Sequence, residues 1–250
     1  MGLEGQFLSE VQQHIAELTR SGEAVILDAA TGAGETTLQI AEAMNGGKLI
    51  TVDRDLTSWN DWARPRLKKA GFLDRVEFVE AHVPDLPLES ESVDLVVSDA
   101  TLSALGIFTV DAIREFYRVL RSGGRLGVRD LIPEQESGHD PTNISALSWR
   151  LMKAAAHLAG RKHYEELPTD WIRARLGEAG FEITSFRVDP SRQPAPTASY
   201  EEWRSMDIAA GIADQELTAA IRNAQQHFVE RAAKEGLTCK TGHYDCWAHK

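Results

Sequence analysis

The chain has only two cysteines in 250 residues, Cys239 and Cys246. That is too few for a disulfide framework, the spacing is not that of zinc ligands, and such sparse usage suits a reducing compartment. No apolar run approaches the length needed to cross a bilayer. The opening Met1-Gly2-Leu3-Glu4-Gly5-Gln6 lacks the basic and apolar regions of a secretory leader. The expectation is a cytoplasmic protein with no membrane span. Basic charge is also short, with 27 Lys and Arg against 38 Asp and Glu and a net charge of -11. Nucleic-acid binding draws on Lys and Arg to neutralise phosphate, so that class is disfavoured. Arg114, Arg118, Arg121, Arg125 and Arg129 form one candidate basic patch, for which a solvated helix face is the plainer reading.

What is present is more telling. An apolar fraction of 42% is enough for a core, and the length suits a single domain over residues 1–250. In Val25-Ile26-Leu27-Asp28-Ala29-Ala30-Thr31-Gly32-Ala33-Gly34, aliphatic residues run into an acid, small residues and two glycines. This reads as a buried strand ending in a tight turn, with glycine where a side chain would meet a ligand or where φ must be positive. Nineteen residues beyond Gly34, the strand Lys48-Leu49-Ile50-Thr51-Val52 ends in Asp53. Nucleotide-binding α/β folds hold a ribose with an acid at that spacing. Together the two features mark an adenosine-type cofactor site and leave the cofactor open. A nicotinamide-dependent oxidoreductase needs Gly-x-Gly-x-x-Gly, but Thr37 stands at the third position, and no Tyr-x-x-x-Lys pair occurs.

Phe7, Val11, Ile15 and Leu18 predict an amphipathic helix over about 4–20. Strand 1 (24–28) and a helix at about 35–44 follow, and then strand 2 ending at Asp53. A helix at 58–70 contains Pro65, which is expected to bend or interrupt it. Strands follow at 75–80, 93–97 and 125–129, with a helix at about 109–121 ending at Ser122-Gly123-Gly124. Strands alternating with helices imply parallel pairing and right-handed crossovers. The ligand then belongs at the carboxyl ends of the strands. Beyond residue 133 the pattern loosens. A cap-like region (133–170) carries a helix at 143–159 with Leu147, Leu151, Ala154 and Leu158 on its apolar side. A helix starting at Pro168-Thr169-Asp170 precedes strand 6 (181–188). A helical insertion (190–237), with helices at 199–210 and 214–235, separates that strand from a last one at about 238–248.

The motif order resembles the class I S-adenosylmethionine-dependent methyltransferases, particularly the ubiquinone/menaquinone C-methyltransferase-like group. The likeness spans roughly residues 22–188 and resumes at the last strand. Asp28, Ala30, Gly32 and Gly34 match its Asp-x-Gly-x-Gly-x-Gly, with Ala30 at the first glycine. The segment from Asp85-Leu86-Pro87 to Val93-Asp94-Leu95-Val96, the run Arg118-Val119-Leu120-Arg121-Ser122-Gly123-Gly124 and the run Leu176-Gly177-Glu178-Ala179-Gly180-Phe181 match later motifs. The resemblance implies a Rossmann-like three-layer α/β sandwich, with a mostly parallel seven-stranded sheet and an antiparallel last strand. It implies S-adenosylmethionine as cofactor and S-adenosylhomocysteine as product. Asp28, Ala30, Thr31, Gly32, Gly34, Asp53, Arg54, His82, Val83 and Ser98 would surround the cofactor. Asp53 would receive the ribose hydroxyls, the glycines would admit the methionine part, and Asp28 would lie near its amino group. His82 stands where the family often has an acid for the adenine amino group. Adenine is then held by the Val83 amide and apolar packing, or by His82 itself.

The implied reaction is methyl transfer to a small or medium organic acceptor, in which the protein mainly aligns the partners and excludes water. A general base helps if the acceptor is a hydroxyl or an activated carbon. Asp99, Asp130, His139, His163 and Tyr164 are weak candidates, with His157 beside them, and each is individually more ordinary as a structural or solvated group. Asp99 is not part of an Asn/Asp-Pro-Pro-Tyr motif, which removes support for amino methylation of nucleic-acid bases. No metal set is legible. Trp149, Met152, Trp203 and Met206 either line an apolar acceptor pocket or pack helices together. The insertion adds a pocket wall or a homodimer contact. The alternatives are a non-catalytic cofactor-binding or regulatory module of the same fold, the oxidoreductase, and a polyamine-synthase-like use of the fold.

Overall fold

A computed structural model describes residues 3–136, 144–161, 164–190, 207–235 and 242–250. Contacts divide the chain into two compact units. The first is Met1–Asp130 with Thr169–Arg187 and Tyr244–Lys250, and the second is Leu131–Pro168 with Val188–His243. The stretches read from the sequence as a cap-like region and an insertion thus make up most of the second unit.

The sheet comprises β1 (Val25–Ala29), β2 (Lys48–Asp53), β3 (Val76–Glu80), β4 (Val93–Asp99), β5 (Leu120–Leu131), β6 (Glu182–Asp189) and β7 (His243–His249), in the order β3-β2-β1-β4-β5-β7-β6. β1 pairs in parallel with β2 and β4, as do β2 with β3 and β4 with β5. β7 runs antiparallel to β5. Gly123 N–H donates to Lys250 O and Lys250 N–H to Gly124 O, and at the far end Ile132 N–H reaches Gly242 O. Ile26, Leu27, Leu95, Val96 and Val97 are wholly buried, as continuous apolar runs in parallel strands require.

Helix α1 (Leu3–Leu18) places Phe7, Val11 and Ile15 on one face. They join Ile26, Leu95, Val97 and Trp247, and Ile40 of α2 (Glu35–Ala43), in one core. Burial of side chains this size contributes about 1.5–3 kcal/mol each. The helix is also pinned electrostatically. Arg187 Nη1 donates to Glu10 at 2.7 Å and its Nε to the wholly buried Asp245 at 2.7 Å, while the Trp247 indole N–H donates to Glu10 at 2.8 Å. α5 (Thr109–Val119) buries Ala112, Ile113, Phe116 and Val119, and packs against α7 (Thr169–Ala179).

Two elements of the first unit depart from the sequence reading. The helix after β2 is α3 (Leu56–Ser58) and α4 (Arg64–Ala70), joined by a π-helical turn over Trp59–Ala63. Pro65 has no N–H to donate, and its ring crowds the carbonyl four residues back. The wider turn just upstream accommodates it, and the helix continues. β5 begins at Leu120, ahead of the glycines. Its register passes from Val93↔Leu120 to Leu95↔Arg125, so Arg121–Gly124 bulge outward, with Gly123 at φ +77°. The backbone of Gly123 and Gly124 is held by Lys250, just after β7.

In the second unit, α6 (Ile144–Leu158) packs on α8 (Gln215–Glu235) and on the turn at Ile208–Ala209. Leu151, Met152 and Ala155 face Ile208, Ala209, Ile212 and Ile221, whereas Ala154 and Leu158 are exposed. The apolar face is therefore rotated from the stripe read in the sequence, because α8 lies along the 151/152/155 flank. Met152 is helix packing. The 137–143, 162–163, 191–206 and 236–241 segments lie outside the described residues, and with them His139, His163, Trp203, Met206, Cys239 and most of the expected 199–210 helix.

An ideal Cβ on Gly127 would stand 2.8 Å from the Trp247 ring. Gly127→Val should therefore cost about 1–3 kcal/mol of stability by overpacking, read as a lowered midpoint in urea unfolding.

Candidate functional site

β1 is central in the strand order, with β2 on one side and β4 on the other, which makes the β1/β4 edge the switch point where open α/β sheets bind ligands. Both strands end there in left-handed alanines, Ala30 at φ +69° and Ala100 at φ +51°. Such conformations cost a non-glycine residue roughly 1–2 kcal/mol and persist where surrounding bonds impose them. Those bonds are visible. Thr31 N–H donates to Val52 O at 3.0 Å and Ala100 N–H to Arg129 O at 2.8 Å, and the Thr101 hydroxyl donates to Ala29 O at 2.8 Å.

The turn is clasped to β2 by Asp53. Gly32 N–H donates to Asp53 Oδ2 at 2.8 Å, and Asp55 N–H to Oδ1 at 2.9 Å. Asp55 in turn caps α3 through Thr57 N–H at 2.9 Å. Each Asp53 oxygen thus holds one backbone donor and keeps a lone pair for another, the state needed to receive a vicinal diol. Arg54 beside it is exposed. The two glycines differ in their reasons. A Cβ on Gly32, at φ +49°, meets nothing within 4 Å, which leaves open space against the backbone. A Cβ on Gly34, at φ +75°, would lie 2.7 Å from the Ala63 Cβ of the π-helical turn. Gly34 admits a neighbouring helix to the turn.

Beneath the turn lies a layer of hydroxyls. Thr37 donates to Asp28 Oδ2 at 2.5 Å and Thr51 donates to it at 3.2 Å, which leaves Thr31 as the donor in its 2.5 Å contact with Thr51. Asp28 is 1% exposed, and among the described residues it has no cation partner. Burial pushes its carboxyl up to about 7, against the pull of the two threonine hydroxyls, and the negative charges of Asp99 and Asp53 add to the rise. The site offers a buried acid that a cationic group would satisfy. Ser98, level with Ala29 on β4, is wholly buried, and among the described residues its hydroxyl has no hydrogen-bond partner. These features fit an adenosine cofactor carrying an amino group.

The candidate bases sit differently. Asp99 receives Arg129 Nε at 2.8 Å and Nη2 at 2.7 Å, and also the Thr36 hydroxyl at 2.8 Å. Asp130 is buried and receives Ser103 N–H at 3.0 Å and the Ser103 hydroxyl at 2.5 Å. Both acids are built into the scaffold. In the second unit, Tyr164 stacks on Trp149 at 6.1 Å, and the Trp149 indole donates to Glu166, whose other oxygen accepts Lys153 at 2.7 Å. The His82 ring meets Phe108 edge-on at 5.5 Å, its carbonyl receives Asp85 N–H at 2.8 Å, and Val83 is buried. The arginine patch dissolves into separate pairs, and only Arg114 and Arg118 are on a helix. Arg114, Arg118, Arg121, Arg125 and Arg129 pair with Asp111, Glu115, Asp94, Glu17 and Asp99. Among the described residues no group of three His, Cys, Asp or Glu is arranged to hold a metal ion, and no helix is long and apolar enough to cross a membrane. Sequence reasoning missed Thr36, Thr37, Thr51, Thr101 and Arg129. Paired threonines at the start of a helix, where they are indifferent helix formers, were the one local signal.

Fold and clasp resemble those of the class I S-adenosylmethionine-dependent methyltransferases, and the chain is similar to proteins of that family. Residues 26–124 match the family described as Methyltransferase domain. The chain is 38% identical over 175 residues to a ubiquinone/menaquinone biosynthesis C-methyltransferase of Brucella abortus, covering 64% of this chain and 63% of that one. The chain thus spans under two thirds of that relative's length. A solved S-adenosylmethionine-dependent methyltransferase from Methanosarcina mazei shares the fold, with a TM-score of 0.59, 16% identity and coverage of 94% and 96%. So does a cyclase, with a TM-score of 0.58, 18% identity and coverage of 96% and 80%.

Two tests follow from this geometry. Gly34→Ala should lose about 2 kcal/mol or more, from strain and collision together, and Gly32→Ala only about 1 kcal/mol, compared by urea unfolding. The carboxyl of Asp28 is raised in the folded state, so the native protein holds its proton through the interval from the ordinary 3.8 to about 7. Stability from this group therefore falls as pH rises through that interval, by roughly 1.4 kcal/mol per pH unit, and is level above it. Asp28→Asn should melt above wild type at pH 8, with the gap closing toward pH 4.

Proposed function

We propose that the protein transfers a methyl group from S-adenosylmethionine to a small or medium organic acceptor. The observation that carries this reading is the Gly32–Asp53 clasp beside an open-faced glycine and a buried acid without a cation. Asp53 receives the ribose hydroxyls, Asp28 lies near the amino group, the Gly32 backbone lies against the methionine part, and His82 with Val83 borders the adenine. Once bound, S-adenosylmethionine supplies an electrophilic methyl group. The chain's task is to orient the acceptor and keep water out. Acceptor preference is assigned to residues 133–170 and 190–237, which lie outside the matched family region. A cytoplasmic location agrees with the sparse cysteine. A net charge of -11 and arginines already paired with carboxylates weigh against a nucleic-acid acceptor.

A second reading, a cofactor-binding module without transfer, draws on one observation: Asp99 and Asp130 are both tied into the scaffold. Turnover on a broad acceptor panel separates the two readings.

Calorimetric titration with S-adenosylmethionine should show binding by wild type. Asp53→Ala should weaken it about 10- to 100-fold, the range for hydrogen bonds to a charged group. No binding at high micromolar concentration, with Asp53→Ala indistinguishable, would sink the cofactor assignment. Binding of a nicotinamide dinucleotide in its place would favour the oxidoreductase.

A further inference from the structure

We propose that Asp99, Arg129 and Thr36 form a clamp that positions the glycine turn of the cofactor site, so that Asp99 serves binding rather than proton transfer. The proposal rests on the reading of this turn as an S-adenosylmethionine site. It begins from the two flanks of the turn. On entry, the carbonyl of Ala29 receives the Thr101 hydroxyl at 2.8 Å. On exit, Thr36, in the first turn of α2, donates to Asp99 Oδ2 at 2.8 Å. Asp99, the last residue of β4, and Thr101 just beyond it therefore grip the turn after and before its glycines, and the turn between these two points holds the Gly32 amide that meets Asp53.

The grip must itself be rigid to transmit position, and Arg129 makes it so. The guanidinium holds both Asp99 oxygens in a parallel two-point contact at 2.8 and 2.7 Å, with the side chains of Arg129 and Asp99 only 15% and 13% exposed. Bidentate pairs of this kind fix orientation as well as charge. The Arg129 carbonyl also receives the N–H of left-handed Ala100, so one residue of β5 holds both the side chain of Asp99 and the backbone after it. Behind it, the guanidinium lies 5.7 Å from the centre of the Phe7 ring of α1. A general base needs an oxygen turned to the acceptor, but here Oδ1 is engaged by Arg129 and Oδ2 by both Arg129 and Thr36. A carboxylate so placed acts through Thr36 on the turn.

The test uses the full chain and S-adenosylmethionine, with Kd from calorimetry and a thermal melt for each variant. Thr36→Val removes one hydroxyl at nearly constant shape and should raise Kd about three- to tenfold. Thr36→Ser keeps the hydroxyl and should stay within about twofold of wild type. Asp99→Asn should raise Kd about tenfold or more. The double variant Thr36→Val/Asp99→Asn should bind about as well as Asp99→Asn alone, since both changes cut the same link. A purely structural pair would lower the melting temperature and leave Kd unmoved well below the melt, and that result overturns the clamp. Thr36→Val alone decides the question if Asp99→Asn does not fold. Wild type that takes up no S-adenosylmethionine overturns this proposal and the cofactor assignment together, whereas wild-type binding with Thr36→Val equal to it overturns the clamp alone.

Discussion

The site depends on one hydrogen bond, from the Gly32 amide to the carboxylate of Asp53. It ties the turn after β1 to the end of β2, two points brought level by parallel pairing of the strands, with Asp28 opposite Thr51 and Ala29 opposite Val52. The turn that presents this amide runs through left-handed backbone at Ala30 and Gly32, at φ +69° and +49°. The bond also sets the direction of Asp53, whose second oxygen is held by Asp55 N–H. What remains of the carboxylate's bonding capacity then faces out of the scaffold.

Buried charge is handled in two opposite ways around this point. Asp245 and Asp99 each meet an arginine, Arg187 and Arg129, and so remain compatible with their burial. Among the described residues Asp28 meets threonine hydroxyls and no cation, and its carboxyl rises to about 7. The three acids differ by their partners, Arg187 for Asp245, Arg129 for Asp99 and threonine hydroxyls for Asp28.

The fold by itself does not name the reaction, because a cyclase shares it. The cofactor side is better defined than the acceptor side for a physical reason. Cofactor recognition uses backbone amides and strand-end carboxylates, which the first unit holds in fixed register. On the acceptor side the proposed segments lie outside the matched family region, and there a helix face such as that of α6 is set by the helix packed against it.

Strand and helix order, the glycine turn and Asp53 were legible in the amino-acid sequence, because periodicity, glycine and strand-end acids report backbone conformation locally. The antiparallel last strand came only from the family resemblance. Even where Pro65 signalled a disturbed helix, the residue type located the disturbance at once. The sequence could not tell that Gly34 makes room for Ala63 while Gly32 leaves open space, or that Asp99 is held by Arg129 and Thr36. Nor could it show that Arg121–Gly124 bulge against Lys250, or that α6 buries Ala155 and exposes Ala154. Each of these is a contact between residues distant along the chain. By itself the sequence determined which local conformations the backbone takes and which cofactor class they suit. The tertiary structure alone decided which side chains are partners, because partnership depends on distances that only packing creates.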